Sequence, residues 1–417
     1  MVNNKQVLVI GGGIAGLTAA QELSRMGISV FLIEKGLFFG GRSAHIACKA
    51  TDKCMKCNDC LVEDRLREIS ESSGLDISLR TEVENIETEG DRFRISLRSR
   101  PKLIDPEKCT DCGLCFEKCP EAAHGAIVRA PSPHIHPFFA IDPVKCSYFA
   151  GQDCGICQSV CPEKAINLDR AEELWSFDAD GLVLATGYEP FDPEKSKRYN
   201  FSHFKNMVTG VELEKMLRDR GHVIKVSDGS RPEKVAFVQC VGSRDTRLNH
   251  EFCSRVCCGF ALRMGLKMVH DNPETEITVF YMDIQNFGKD FDRYYREAQA
   301  KIRLLRGLPG DFYAPDNNHI SVSYCDERSG RQITEDFYMV VLSVGIMPSI
   351  SHAFFAEKLS LSTNKDGFLK IPDEIGRSGL VMAGTVEGPM DVSESISHAK
   401  RSALEMGQYL GIYPQNS

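Results

Sequence analysis

The sequence predicts an α/β protein of two lobes with an inserted α+β module. Three observations carry the prediction. A glycine-rich turn joins an apolar strand to a helix near the N-terminus. Sixteen of the 17 cysteines fall into four groups of four, Cys325 standing alone. A second apolar strand, at 234–240, opens another lobe halfway along the chain. The chain has 417 residues, 42% hydrophobic and 26% charged, a globular balance. That length suits two or three domains. A net charge of −8 argues against a nucleic-acid footprint. No apolar run reaches the length of a membrane span, and MVNNKQ at the start lacks the apolar stretch of a secretory signal. The expectation is a cytoplasmic chain whose cysteines serve metal rather than disulfides.

The first strand, Lys5 to Ile10, is read from the continuous apolar run Val7-Leu8-Val9-Ile10. Gly11, Gly12, Gly13, Ile14, Ala15 and Gly16 follow. A helical pattern then runs to about Met26, where Gly27 stops it. A second strand, Ile28 to Ile33, ends at Glu34, with Lys35 beside it. In this β-turn-α-β context Gly11, Gly13 and Gly16 let the backbone approach a pyrophosphate at the helix N-terminus, with Ile14 and Ala15 in the same turn. Glu34 lies 21 residues after Gly13, where a carboxylate takes ribose hydroxyls.

Gly40, Gly41 and Arg42 then resemble the second glycine pair of flavoprotein disulfide-reductase-like folds, in which backbone and arginine neutralise the FAD pyrophosphate. This resemblance shifts the expected dinucleotide from NAD to FAD. It also implies flavin contacts from Val83, from Ala185, Thr186 and Gly187 at the end of GLVLATG, and from Gly384 and Thr385. A helix beginning near Asp391 would point its N-terminus at the isoalloxazine. Thr385 stands where that family usually has an acidic residue.

Cys109, Cys112, Cys115 and Cys119, followed by Pro120, match the bacterial ferredoxin run. Cys154, Cys157, Cys161 and Pro162 repeat its second half, 42 residues on. The segments 126–128 and 138–142 read as the small strands between them. Because the fourth cysteine of such a run serves the other cluster, Cys109, Cys112, Cys115 and Cys161 are assigned to one 4Fe–4S cluster. Cys119, Cys146, Cys154 and Cys157 are assigned to a second. Seven residues rather than two separate Cys146 from Cys154, which lengthens a loop. Zinc is the alternative occupant. His134 and His136 are expected to decorate the connecting loop.

Cys54, Cys57 and Cys60 form a ladder of two-residue spacings, with Cys48 before it. The reading is a cluster near the flavin; structural zinc and a redox-active thiol pair are the alternatives. The last group is Cys240, Cys253, Cys257 and Cys258. Only Gly242 follows the strand at 234–240, so no second glycine fingerprint cradles a nicotinamide dinucleotide. Adjacent cysteines imply a buried cluster or a strained vicinal disulfide.

QCVGSRD, FCSRVCC and ITVFYMDIQNFGKDFDRYYREA together resemble the A-type subunit of heterodisulfide reductase, over nearly the whole chain. The resemblance implies that Cys240, Cys253, Cys257 and Cys258 ligate a 4Fe–4S cluster and that the nicotinamide pocket is lost. Archaeal members are longer, with further ferredoxin units, so this chain is expected to lack an appended terminal relay. Shorter relatives occur in the quinone-interacting oxidoreductase complex of sulfate reducers and in class II benzoyl-coenzyme A reductase of anaerobes.

The expected architecture is a flavoprotein-reductase-like α/β fold in five stretches. Residues 1–100, 171–205 and 335–417 make a Rossmann-type FAD domain. Residues 101–170 are the dicluster insert, and 206–334 the second α/β lobe. Helix 210–221 should face the core, and 323–336 should be a solvated hairpin. The implied function is electron transfer between FAD and three or four 4Fe–4S clusters, with flavin-based bifurcation an option within the family that no residue pattern reports, and no nucleophilic residue required. Implied partners are redox subunits: heterodisulfide reductase B/C-like, hydrogenase delta-like, or ferredoxin. A stand-alone NAD(P)H-dependent reductase and a flavin-free cluster wire are the alternatives.

Overall fold

A computed structural model describes residues 5–412 apart from 72–74, 286–287, 289–290, 315, 317 and 373–378. The start of MVNNKQ and part of the 277–298 motif therefore lie outside the described residues.

The apolar run at the N-terminus forms strand Gln6–Ile10, the centre of a five-stranded parallel sheet. Its neighbours are Ser29–Glu34 on one side and Gly181–Leu184 on the other, with Asp76–Leu79 and Leu380–Met382 at the edges. Strands buried on both faces read as continuous rather than alternating apolar runs, as here. Val7 and Val9 pack against helices Ile14–Arg25, Asp59–Ser70 and Val392–Tyr409. Leu8 and Ile10 pack the other way, under the antiparallel sheet of Thr81–Glu89, Arg92–Ser99 and Glu173–Ala179. The first helix ends where Gly27 takes a φ of 79°.

Arg92–Ser99 and Glu173–Ala179 pair directly, so the chain between them leaves one sheet and returns to it. This insert has two short antiparallel strands, Ile127–Arg129 and Phe139–Ile141, two one-turn helices and its own small core.

The second lobe repeats the first layer plan. Its parallel sheet runs Met207–Thr209, Met339–Val344, Lys234–Val241, Glu276–Tyr281, Arg303–Arg306. Helices Gly210–Arg220 and Cys257–Asp271 cover one face, and strands at 311–337 the other. Thr209 and Glu212 close a capping box on the first of these helices, and Gly221 ends it with a φ of 75°. Strands Ile320–Cys325 and Gln332–Phe337 form the hairpin expected there. One boundary is corrected. Strand 339–344 lies inside the second lobe's sheet, paired to 207–209 and 234–241, so the chain leaves that lobe after 344 rather than at 334/335. A buried run such as MVVLSV satisfies either sheet; only the long-range pairing decides.

Candidate functional site

The carboxyl ends of the parallel strands in both lobes open onto one cavity of about 920 Å³. From the first domain it takes Gly11, Gly13, Ile14, Ala15, Glu34, Lys35, Gly41, Arg42, Val83, Ala185, Thr186, Gly187 and Thr385. These are most of the positions predicted to contact FAD. Gly16, Gly40 and Gly384 are not among the lining residues but sit where the backbone is tight. A Cβ on Gly16 would lie 1.8 Å from the Gly11 carbonyl oxygen, and one on Gly384 2.6 Å from Ala15 Cβ. Gly40 has a φ of 99° and donates its N–H to the Gly12 carbonyl at 2.6 Å, tying the two glycine turns together.

The wall fits a dinucleotide. A Cβ on Gly13 would meet nothing within 4 Å, so only ligand space is vacated there. The Thr186 hydroxyl is buried on the wall with no hydrogen-bond partner among the described residues. The Glu34 carboxylate is held by the N–H groups of Gly12 and Gly36, each at 2.6 Å, which fixes it for hydroxyls approaching from the cavity. Asp391 caps the last helix in a capping box with Glu394, and the helix N-terminus reaches the cavity through Asp391 and Val392. Arg42 departs from the expected role in one respect: its guanidinium is already paired with Glu189 and donates to the Tyr188 carbonyl.

All 17 cysteines are free thiols, so 257 and 258 form no vicinal disulfide. No three His, Cys, Asp or Glu side chains converge on a single-ion site among the described residues. In the insert, Cys109 senses Cys161, and Cys115 senses Cys109, Cys157 and Cys112. Cys157 senses Cys146, Cys119 and Cys154. Cys119, Cys146, Cys154 and Cys157 line one small cavity of the insert. Burial pushes the Cys115 and Cys157 thiols up to about 11. Cys240, Cys253, Cys257 and Cys258 gather at the start of helix 257–271. Hydrogen bonds from Cys240 and Cys258 favour a thiolate on Cys257 and push their own thiols up. Backbone N–H groups donate to Cys54, Cys161 and Cys253 at 3.3–3.4 Å. The N-terminal group is less gathered: Cys48 interacts with Cys57, and Cys60 is exposed at the start of helix 59–70. His136 is engaged by Asp111 and the Pro106 carbonyl, both at 2.7 Å.

Sequence reasoning missed the second lobe's share of the wall. Cys257 and Cys57 both line the cavity, with Arg255, Phe260, Arg263 and Ser343. Arg263 donates to the Met55 carbonyl at 2.9 Å, and Met55 and Ala47 bury in the second lobe's core. The Cys48–Cys60 stretch therefore straps the two lobes together. Lys49, 2% exposed, pairs with Glu214 at 2.6 Å inside this strap, on the cavity wall. Removing one partner of a buried pair costs about 3–5 kcal/mol, whereas replacing both by apolar groups is often neutral. Glu214→Leu should therefore lower the denaturation midpoint sharply, and Lys49→Met/Glu214→Leu should recover most of it. Equal loss in both would place the effect in packing instead.

Comparison with known proteins agrees with this geometry. Residues 9–57 match the NAD(P)-binding Rossmann-like domain, and residues 102–123 the 4Fe-4S binding domain. Among solved structures, thioredoxin reductase of Lactococcus lactis superposes with a TM-score of 0.52 at 15% identity, covering 98% of this chain and 100% of that one. Bacillithiol disulfide reductase of Bacillus cereus gives 0.52 at 14% identity, covering 97% and 98%. These show the fold. A curated relative from Methanothermobacter marburgensis, the A-type subunit of H(2):CoB-CoM heterodisulfide,ferredoxin reductase, is 32% identical over 95% of this chain and 63% of its own length. The second of the A-type iron-sulfur subunits of CoB-CoM heterodisulfide reductase in Methanopyrus kandleri is 32% identical over the same shares. The chain thus spans about 63% of the length of these relatives. Over 95% of its length the chain is thus similar to A-type subunits of heterodisulfide reductase.

Proposed function

We propose that the chain is the FAD and iron–sulfur electron-transfer subunit of a larger oxidoreductase complex. The observation that carries this reading is the placement of Cys57 and Cys257 on opposite contributions to one dinucleotide cavity. FAD would be held by the turns at 11–16 and 40–42, by Glu34 and by 185–187; clusters would be held by the two insert quartets, by Cys240, Cys253, Cys257 and Cys258, and by Cys48, Cys54, Cys57 and Cys60. When bound, the flavin exchanges two electrons and each cluster carries one. The chain's own work is binding, orientation and electrostatics. The glycine turns and the N-terminus of helix 392–409 present N–H groups to the dinucleotide. The strap at 46–60 fixes the distance between the lobes. No helix among the described residues is long and apolar enough to cross a membrane. Partners would be redox subunits resembling heterodisulfide reductase B and C, a hydrogenase delta-like protein, or ferredoxin, and bifurcation would be set by them together with the flavin site.

Two measurements test the reading. Protein purified without oxygen should hold one FAD and about sixteen iron if all four quartets are loaded, or about twelve if Cys48–Cys60 is not. Iron without FAD would leave only a cluster wire. NADH and NADPH should fail to bleach the flavin. Where a second glycine fingerprint would open the pyrophosphate site, Phe191 instead fills the space beside Gly242: a Cβ on that glycine would lie 2.0 Å from the ring. Rapid bleaching by either nucleotide would favour a stand-alone reductase.

A further inference from the structure

Three polar side chains of the second lobe are buried with no hydrogen-bond partner among the described residues: Gln239, Ser243 and Ser343. Gln239 is 0% exposed, and both its amide nitrogen and its amide oxygen are orphaned. Native proteins seldom leave such groups unpaired, so their partner is something the chain does not supply.

Their position says what that partner is. Side chains alternate along a strand. On strand 234–241, Phe237 packs under helices 210–220 and 257–271, while Ala236 and Val238 pack on the opposite face. Gln239 therefore shares the Phe237 face and is next to Cys240. On the neighbouring strand Val341 packs on the same face, which places Ser343 there too. The two strands pair at Val238↔Leu342 and Val241↔Val344, with a bulge between, so Ser343 lies opposite Gln239 and Cys240. Ser343 and Cys257 line the same cavity wall. Two unpaired donors thus lie on the sheet face covered by helix 257–271, whose first residue, Cys257, is hydrogen-bonded to Cys240.

We propose that the Gln239 amide and the Ser343 hydroxyl donate hydrogen bonds to sulfur atoms of the cluster held by Cys240, Cys253, Cys257 and Cys258. This deepens, and rests on, the reading of that quartet as a cluster site. Such bonds stabilise the more negative, reduced cluster, so they raise its one-electron potential. They would set this centre apart from the insert's clusters while leaving iron binding to the thiolates.

The test uses the full chain, purified anaerobically with its clusters, and a redox titration followed by electron paramagnetic resonance. The signal lost in Cys258→Ser, together with about four iron, identifies this centre. Gln239→Leu and Ser343→Ala should each move that signal's midpoint to more negative potential and leave the insert's signals in place. Ser343→Thr keeps the hydroxyl and should restore the midpoint. Exchangeable-proton hyperfine coupling at this signal should weaken in Gln239→Leu. If Gln239→Leu does not fold, the Ser343→Ala and Ser343→Thr pair carries the test. An unchanged midpoint in folded, fully loaded variants overturns the proposal and assigns the orphaned atoms to buried water. If no signal or iron depends on Cys258, the cluster reading itself fails instead.

Discussion

Gly16→Ala protein is expected to be isolated without FAD while keeping its iron. The added Cβ would stand 1.8 Å from the Gly11 carbonyl oxygen and 3.2 Å from Ala185 Cβ. Neither neighbour is the free end of a flexible side chain, so the backbone of the 11–16 turn must move. Overpacking of this kind costs about 1–3 kcal/mol. Here the displaced atoms are the cradle itself, so the loss falls on flavin binding as well as on stability. Two neighbouring substitutions make the expectation sharper. Gly12→Ala would meet the Glu34 side chain first, at 3.0–3.3 Å, and should lower flavin content modestly. Gly13→Ala meets nothing within 4 Å of protein; it should leave stability unchanged and weaken FAD by intruding on ligand space. Flavin-to-protein and iron-to-protein ratios of the purified variants measure all three. Full flavin in Gly16→Ala would mean that the turn at 11–16 is not the binding turn.

Local signals made the first domain legible. The run Val7–Ile10, the glycines after it and Glu34 are contiguous in sequence, and the sheet, the turn and the fixed carboxylate follow from them. The insert was legible because ferredoxin spacing is a local pattern whose fourth cysteine announces a crossing. The helix at 392–409 begins where one was expected, after Asp391, whose capping box with Glu394 the structure adds. Long-range features were not. Gly16, Gly40 and Gly384 carry the same letter as Gly13, but how tightly each is packed depends on atoms brought near only by folding. Strand 339–344 has a composition that suits either sheet. Arg263 and Lys49 gave no signal, since an arginine on a helix and a lysine beside a cysteine are ordinary surface letters. Their roles arise because the strap at 46–60 leaves the first domain and buries Met55 and Ala47 in the second lobe. Phe191 gave none either: that it fills the space beside Gly242 depends on a strand fifty residues away.

Arg218→Met is expected to loosen the insert, the strap and the second lobe from one another in a single step. Arg218 sits near the end of helix 210–220, and its side chain is only 15% exposed. It donates to the carbonyls of Pro131 in the insert and Ile46 in the strap. It also pairs with Asp59, at 3.1 Å, and with Glu63 on the helix that carries Cys60. Glu63 in turn accepts from Ser132 of the insert at 2.7 Å. One guanidinium thus serves three pieces of chain, a task suited to its fork of fixed donors and not to lysine. Methionine preserves the apolar stem and leaves two partly buried carboxylates facing each other without a counter-charge. Burial already pushes the Asp59 carboxyl up, and the Arg218 charge opposes that shift. Breaking such a buried cluster costs about 3–5 kcal/mol. Hydrogen exchange should accelerate at 44–60 and 130–136 before it does in the parallel sheets, and proteases should cut at the insert's junction with the strap. Adding Asp59→Asn and Glu63→Gln removes the stranded charges and should recover stability, but not the order of the insert, because the carbonyls of Ile46 and Pro131 stay unserved. Arg218→Lys should fall between wild type and Arg218→Met. If exchange rises uniformly over the chain, Arg218 is a general stabiliser; if only 44–60 and 130–136 respond, it is the fastening that fixes the insert's cysteines relative to the cavity.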